Sequence, residues 1–107
     1  MTAPVVRVAP AARRDLDAQA AWFATQADPE VARHFARSAA DSFAKLASSP
    51  GLGSPVESSR LALRELRKWR VQGFPNLLIF YIPVTDGVRV IRVIHAAQDW
   101  MAVLRLD

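Results

Sequence analysis

Few groups in this chain can move a proton. There are two histidines and a single tyrosine, with ten carboxylates, set among fourteen basic residues of which twelve are Arg. His95 is the best titratable group, because an unperturbed imidazole changes charge near neutrality. A lone His at a strand end is also a common structural hydrogen-bonding group. Tyr81 falls on the same side of a strand as Leu77 and Ile79, which predicts a buried ring with its hydroxyl satisfied. His34 follows Arg33 in a helical pattern and reads as a surface residue. Guanidinium groups such as Arg64, Arg70 and Arg92 suit bidentate contact with carboxylate or phosphate. Arg64, Arg70 and Arg92 as phosphate-holding cations, with His95 for proton transfer and Tyr81 as a further candidate, form a set that could cleave RNA through its 2′-hydroxyl.

The densest basic stretch runs from Arg60 to Arg70. Read as a strand, it puts Arg60, Arg64, Lys68 and Arg70 on one side with Ala62 and Leu66, and Arg67 and Trp69 on the other. Such a ridge suits an acidic protein or a nucleic-acid phosphate; an edge strand blunted by charge would look the same. Trp69 and Trp100 are candidate interface anchors, a role in which Trp is enriched. Trp22, beside Phe23 and near Leu16, is expected to pack in a helical core. No metal site is expected, since the histidines lack ligand spacing and the chain has no Cys. A glycine-rich phosphate loop, a nucleophile elbow and paired carboxylates are also missing, so no cofactor is expected.

These residues need a scaffold, and 107 residues suffice for one domain, 1–107. Hydrophobic residues at 51% and charged residues at 22% support a buried core. The formal charge of +4 is uneven. Residues 1–50 hold six basic against five acidic groups, and residues 51–107 hold eight against five. The basic second half favours an anionic partner. The absence of Cys fits a reducing compartment, and no apolar run approaches a bilayer span, so a cytoplasmic location without membrane contact is expected.

Val5, Val6 and Val8 predict a first strand ended by Pro10. Ala12, Leu16, Ala20 and Phe23 recur at helical steps over about 11–26. Asp28-Pro29-Glu30 reads as an N-cap, a first-turn proline and a dipole-favoured acid. The second helix then runs through Phe35, Phe43 and Leu46 to about Ser48, which gives a helical hairpin. Residues 48–59 form a loop rich in Ser, Pro and Gly. Strands are expected at about 61–71, 76–84 and 87–95, the last two joined through Asp86-Gly87. The segment 76–85 is apolar on both faces, so the side away from the helices must meet the C-terminal segment or a partner. Residues 99–106 read as a short helix or an extended arm. The predicted class is α+β: an N-terminal strand, an α-helical hairpin, then a mostly antiparallel sheet packed against it.

This order and its residues resemble the ParE/RelE toxin superfamily of type II toxin–antitoxin pairs, and its ParE-like branch in particular. The resemblance is carried by Val8 to Leu16, Phe43 to Gly53, Leu63-Arg64, Gly73-Phe74-Pro75 before Leu78 to Tyr81, and Val90 to Trp100. The chain departs from the usual ParE-like ending, which carries Arg where Gln98 stands. For the ParE branch the resemblance implies a non-enzymatic inhibitor of DNA gyrase. It also implies a ParD-like antitoxin, a ribbon-helix-helix protein with an amphipathic C-terminal segment. Contacts with antitoxin or target are expected among Arg60, Arg64, Lys68, Trp69, Arg70, Tyr81, Arg92, His95 and Trp100. For the RelE branch it implies a ribosome-dependent mRNA endoribonuclease, with basic residues on the sheet and a Tyr or His near the C-terminus. A degenerate toxin that keeps only antitoxin binding is a third reading.

Overall fold

The computed structural model describes residues 3–106. Strand β1 (Val5–Val8) leads into α1 (Pro10–Gln26) and α2 (Pro29–Ser48). A two-residue strand β2 (Ser54–Pro55) and a 3-10 turn (Leu61–Leu63) precede β3 (Arg67–Val71), β4 (Phe74–Val84) and β5 (Gly87–His95). A short helix α3 (Trp100–Leu104) follows. The strands form one sheet in the order β1-β5-β4-β3-β2, with β1 parallel to β5 and every other pair antiparallel.

The hairpin forms as its residues dictate. Pro10 and Pro29 occupy the first turns of α1 and α2, where the missing N–H costs nothing. Asp28 caps α2 by accepting the Val31 N–H at 3.0 Å. Phe35, Ala39, Phe43 and Leu46 come round to one side of α2 and are buried against the sheet. Ser42 fastens that helix to the β3–β4 turn: its hydroxyl donates to the Ser38 carbonyl at 2.7 Å and accepts the Gln72 N–H at 3.0 Å. At the other edge, Gly87 lies so close to β1 that a Cβ would collide with the Val5 carbonyl, so the parallel β1–β5 pair requires glycine there.

The sheet has a core on each side. Leu77, Ile79, Tyr81, Val88, Val90 and Val93 face the helical hairpin. Phe80 and Ile94 face the other way, where Leu104 and Leu106 cover them together with Val56, Leu63 and Leu66. The apolar second face of β4 is therefore met by the C-terminal segment and the 56–66 crossing, while Leu78, Ile82 and Ile91 remain only partly buried.

Two expectations change. The strand expected over 61–71 begins only at Arg67, and Leu61–Leu63 is a 3-10 turn. The cause is spacing: Leu63 and Leu66 enter the same core, which a turn allows and a strand forbids, since residues three apart in a strand face opposite sides. Local bonds lock the turn, with the Arg60 N–H on the Ser58 hydroxyl at 3.1 Å and the Leu66 N–H on the Leu63 carbonyl at 3.0 Å. The expected loop at 48–59 also contributes β2, whose Ser54 and Pro55 pair with Lys68 and Arg67.

Candidate functional site

The basic residues gather around α3, for a reason other than strand alternation. The 3-10 turn brings Arg60 against the end of α3, where its Nη1 donates to the Leu104 carbonyl at 2.9 Å. A cation there also complements the negative end of the helix. Arg64 lies beside Met101 and Leu106 at a shallow hollow of about 570 Å³. Lys68 is paired with Phe80 on the α3 side of the sheet, and its Nζ stands 4.9 Å from the centre of the Trp100 ring. Trp100 in turn packs on Phe80 at 5.4 Å. Arg70 lies two residues further along the same face, opposite Leu78. Arg60, Arg64 and Lys68 thus lie about α3 with one half-buried indole, and Arg70 stands further along the same sheet face.

None of these four cations is in an ion pair among the described residues, and Glu57 lines the same hollow as Arg64. The ion pairs lie elsewhere: Arg7 with Asp86, Arg33 with Glu30, and Arg92 with Asp15. Arg67, also in the basic run, is spent on structure, donating to the carbonyls of Gly51 and Gly53.

The remaining sequence candidates are placed apart from these four. Trp69 faces the hairpin side and is half-buried against that core, with the Lys45 Nζ 5.9 Å from its ring centre. Tyr81 is fully buried, so its place among the partner-binding candidates is corrected. Its hydroxyl donates to the Pro50 carbonyl at 2.7 Å and accepts the Gly53 N–H at 2.8 Å, and burial pushes its ionisation above that of a free phenol.

Arg92 is committed as well, which corrects its expected role as a phosphate or target contact. Its Nε and Nη2 grip Asp15 at 2.7 and 2.9 Å, and the hydrogen bond to that carboxylate raises the guanidinium pKa further. Asp15 also accepts the Val93 N–H at 3.0 Å, so one carboxylate ties α1 to β5 just beyond the end of β1.

His95 is exposed, and its Nδ1 accepts the Ala97 N–H at 3.0 Å, which puts the proton of the neutral ring on Nε2. It is paired with Leu77, a residue of the hairpin-side core, and lines a hollow of about 470 Å³ with Trp22, Phe23 and Phe74. Directly opposed residues share a face. His95 therefore lies on the hairpin side of the sheet, and Lys68 and Arg70 on the α3 side. Trp22, expected in the hairpin core, is 56% exposed at the rim of the His95 hollow.

The profile of the ParE toxin family of type II toxin–antitoxin (parDE) systems matches residues 6–100. The chain belongs to the ParE toxin family. A solved structure described as the chromosomal ParDE toxin–antitoxin system from P. aeruginosa superposes with a TM-score of 0.68 at 14% identity, covering 87% of this chain and 96% of the other. At that identity the likeness is one of fold, and it bears out the α+β arrangement of strand, helical hairpin and sheet. No curated protein sequence matches the chain. Among the described residues no helix is long and apolar enough to cross a membrane, and no group of three or more His, Cys, Asp or Glu is gathered as metal ligands would be.

The α3 cluster was only partly visible in sequence. The alternation Arg60, Arg64, Lys68, Arg70 predicted a common strand side; Lys68 and Arg70 share a face of β3, whereas Arg60 and Arg64 lie in the preceding turn beside the end of α3. Lys45 was missed, because helical spacing marks it only as an exposed residue of α2. Its link to Trp69 depends on which edge of the sheet the helix covers.

Proposed function

We propose that this ParE-family chain acts as a non-catalytic inhibitor of DNA gyrase in the cytoplasm, binding through Arg60, Arg64, Lys68 and Arg70 with Trp100 as the apolar anchor. A cognate antitoxin of ribbon-helix-helix type neutralises it by laying an amphipathic segment on the hairpin and the partly open sheet face around Leu78, Ile82 and Ile91. The observation that carries this reading is the separation of the proton-transfer candidate from the cations. Stabilising a pentavalent phosphate requires cations and an acid–base group around one phosphorus. Here His95 and the cations Lys68 and Arg70 occupy opposite faces of a sheet, and Arg92 is held by Asp15. The ribosome-dependent endoribonuclease reading, built on Arg64, Arg70, Arg92 and His95, has no such convergence behind it.

Gyrase supercoiling with cleavage-complex trapping, run beside mRNA cleavage on programmed ribosomes, separates the two. Trapped linear DNA with intact mRNA is the expected result. Cut mRNA with unaffected gyrase would overturn the proposal.

A further inference from the structure

Leu61 is 77% exposed, yet it lies in a fixed 3-10 turn. Leu63 anchors that turn in the α3-side core, and the Arg60 N–H is held by the Ser58 hydroxyl at 3.1 Å. The leucine is therefore presented to solvent by structure. Arg60 and Arg64, both exposed, flank it along the chain. Helix α3 adds to the same character: Trp100 and Leu104 pack towards the sheet, while Met101, Ala102 and Val103 are exposed. The outer side of this helix is apolar where a surface helix would ordinarily be polar.

Cations continue from the turn into β3. Arg64 lines a hollow with Met101, Lys68 stands 4.9 Å from the centre of the Trp100 ring, and Arg70 follows on the same strand face. Lys68 and Arg70 are about 7 Å apart along the strand, close to two nucleotide steps along one strand of a duplex. Glu57 shares the Arg64 hollow, but none of the four cations is in an ion pair among the described residues. Just past α3, the exposed Arg105 adds another cation. Its φ of 54° is left-handed, at a helix end where glycine is usual, so the backbone is strained around a side chain that glycine would lack.

We infer that this face binds duplex DNA directly, with Arg60, Arg64, Lys68 and Arg70 following the phosphates of one strand and Leu61 inserted as a wedge at a base step. The inference deepens the proposed reading and rests on it for its setting: the DNA is the segment that gyrase holds. A protruding leucine between cations fits a groove, where phosphates on either side need positive charge and an unstacked step needs an apolar tip. An unpaired strand fits less well, because it needs an open aromatic platform and Trp100 is already engaged by Phe80 and Lys68. A row of cations that runs from a turn into a strand also matches a repeating line of charge better than the local carboxylates of an acidic protein.

The test uses the full chain and a short duplex carrying 2-aminopurine, with affinity followed by fluorescence anisotropy over a salt series. Four phosphate contacts predict that log affinity falls against log salt with a slope of about −3.6, and insertion at a step raises the 2-aminopurine fluorescence. Arg64→Gln and Arg70→Gln should each make the slope shallower by about 0.9. Leu61→Ser, at an exposed site, should weaken binding about fivefold and remove the fluorescence rise, with the slope and the circular dichroism spectrum unchanged. A slope near zero, tighter binding of oligothymidylate than of duplex, or poly-glutamate competing as well as DNA would overturn the inference. So would a fluorescence rise that is absent from the parent or survives Leu61→Ser. Gyrase supercoiling is measured on the same preparations. Inhibition by a chain that does not bind duplex rejects the DNA contact alone, whereas duplex binding with gyrase unaffected supports the contact and rejects the target reading.

Discussion

Replacing Tyr81 by Phe tests whether this residue is a structural clamp. The ring is fully buried, and its hydroxyl is the acceptor for the Gly53 N–H and a donor to the Pro50 carbonyl. Phe fills nearly the same volume, so packing is conserved and the loss is polar. The Gly53 amide is left buried without its acceptor and Pro50 without its donor, a penalty of about 1–3 kcal/mol. Taking about 2 kcal/mol, a chain of this size should lose about 8 °C in its thermal midpoint. The effect also depends on pH in a defined sense. Burial raises the Tyr81 pKa in the folded state, so the unfolded chain releases this proton first, near pH 10. Between the unfolded and folded pKa values the unfolded chain binds fewer protons, so stability falls as pH rises through that window and is fully present below it. The Phe variant should lack this component. Tyr81 is the only tyrosine, so phenolate absorbance reads it alone. Two results would refute the reasoning: phenolate forming at the same pH in the folded and urea-unfolded chain, or a Phe variant within about 0.5 kcal/mol of the parent in denaturant melts. Because no chemistry is assigned to the hydroxyl, gyrase inhibition by the folded variant should match the parent at a temperature well below its midpoint.

Arg92→Gln should cost about 1–3 kcal/mol, since it strips the partner from a largely buried Asp15 that still has to accept the Val93 N–H; adding Asp15→Asn should recover part of that loss in urea melts. Leu104→Ala, at a site 4% exposed, should cost about 2–4 kcal/mol and increase binding of a hydrophobic dye as the α3 side of the sheet opens. His95→Gln should leave growth inhibition intact, and abolished toxicity with an unchanged melt would return His95 to a catalytic role. Charge reversal at Arg64 and Lys68 together should weaken gyrase inhibition about tenfold at low salt with a smaller difference at high salt, because exposed charges are screened; an unchanged inhibition curve would move the target contact off this face.

Local patterns made the hairpin and the β4–β5 pair readable. Apolar residues recur at helical steps along α2, Asp28-Pro29-Glu30 marks its start, and Asp86-Gly87 marks the sheet turn. Ambiguity entered where two periods fit the same residues. Leu61, Leu63 and Trp69 alternate as a strand would, yet Leu63 and Leu66 also fit a turn, and the demand for apolar cover over Phe80 decided between them. The site suffered more because its decisive relations are long-range. Nothing local to Arg92 announces Asp15, and nothing local to His95 reports that it faces away from Lys68 and Arg70. Trp22 stands next to Phe23 but off the apolar spacing of α1, and it is exposed at the rim of the hollow by Phe74 and His95.

The parallel seating of β1 on β5 bears on when this fold is completed. Val5–Val8 find their strand partners only in Gly87–Val90, which are synthesised much later. Until β5 has been synthesised the emerging chain holds a complete α1 and α2 whose apolar sides have no sheet to cover, and the basic groups of β3 have no α3 beside them. Closure over so long a stretch of chain is a late and slow event in folding. The complete sheet with α3 beside it therefore forms only after β5 has been made. During that interval the uncovered hairpin is available to whatever protein is already waiting in the cell to bind it, so a partner made beforehand could capture the chain before its target does.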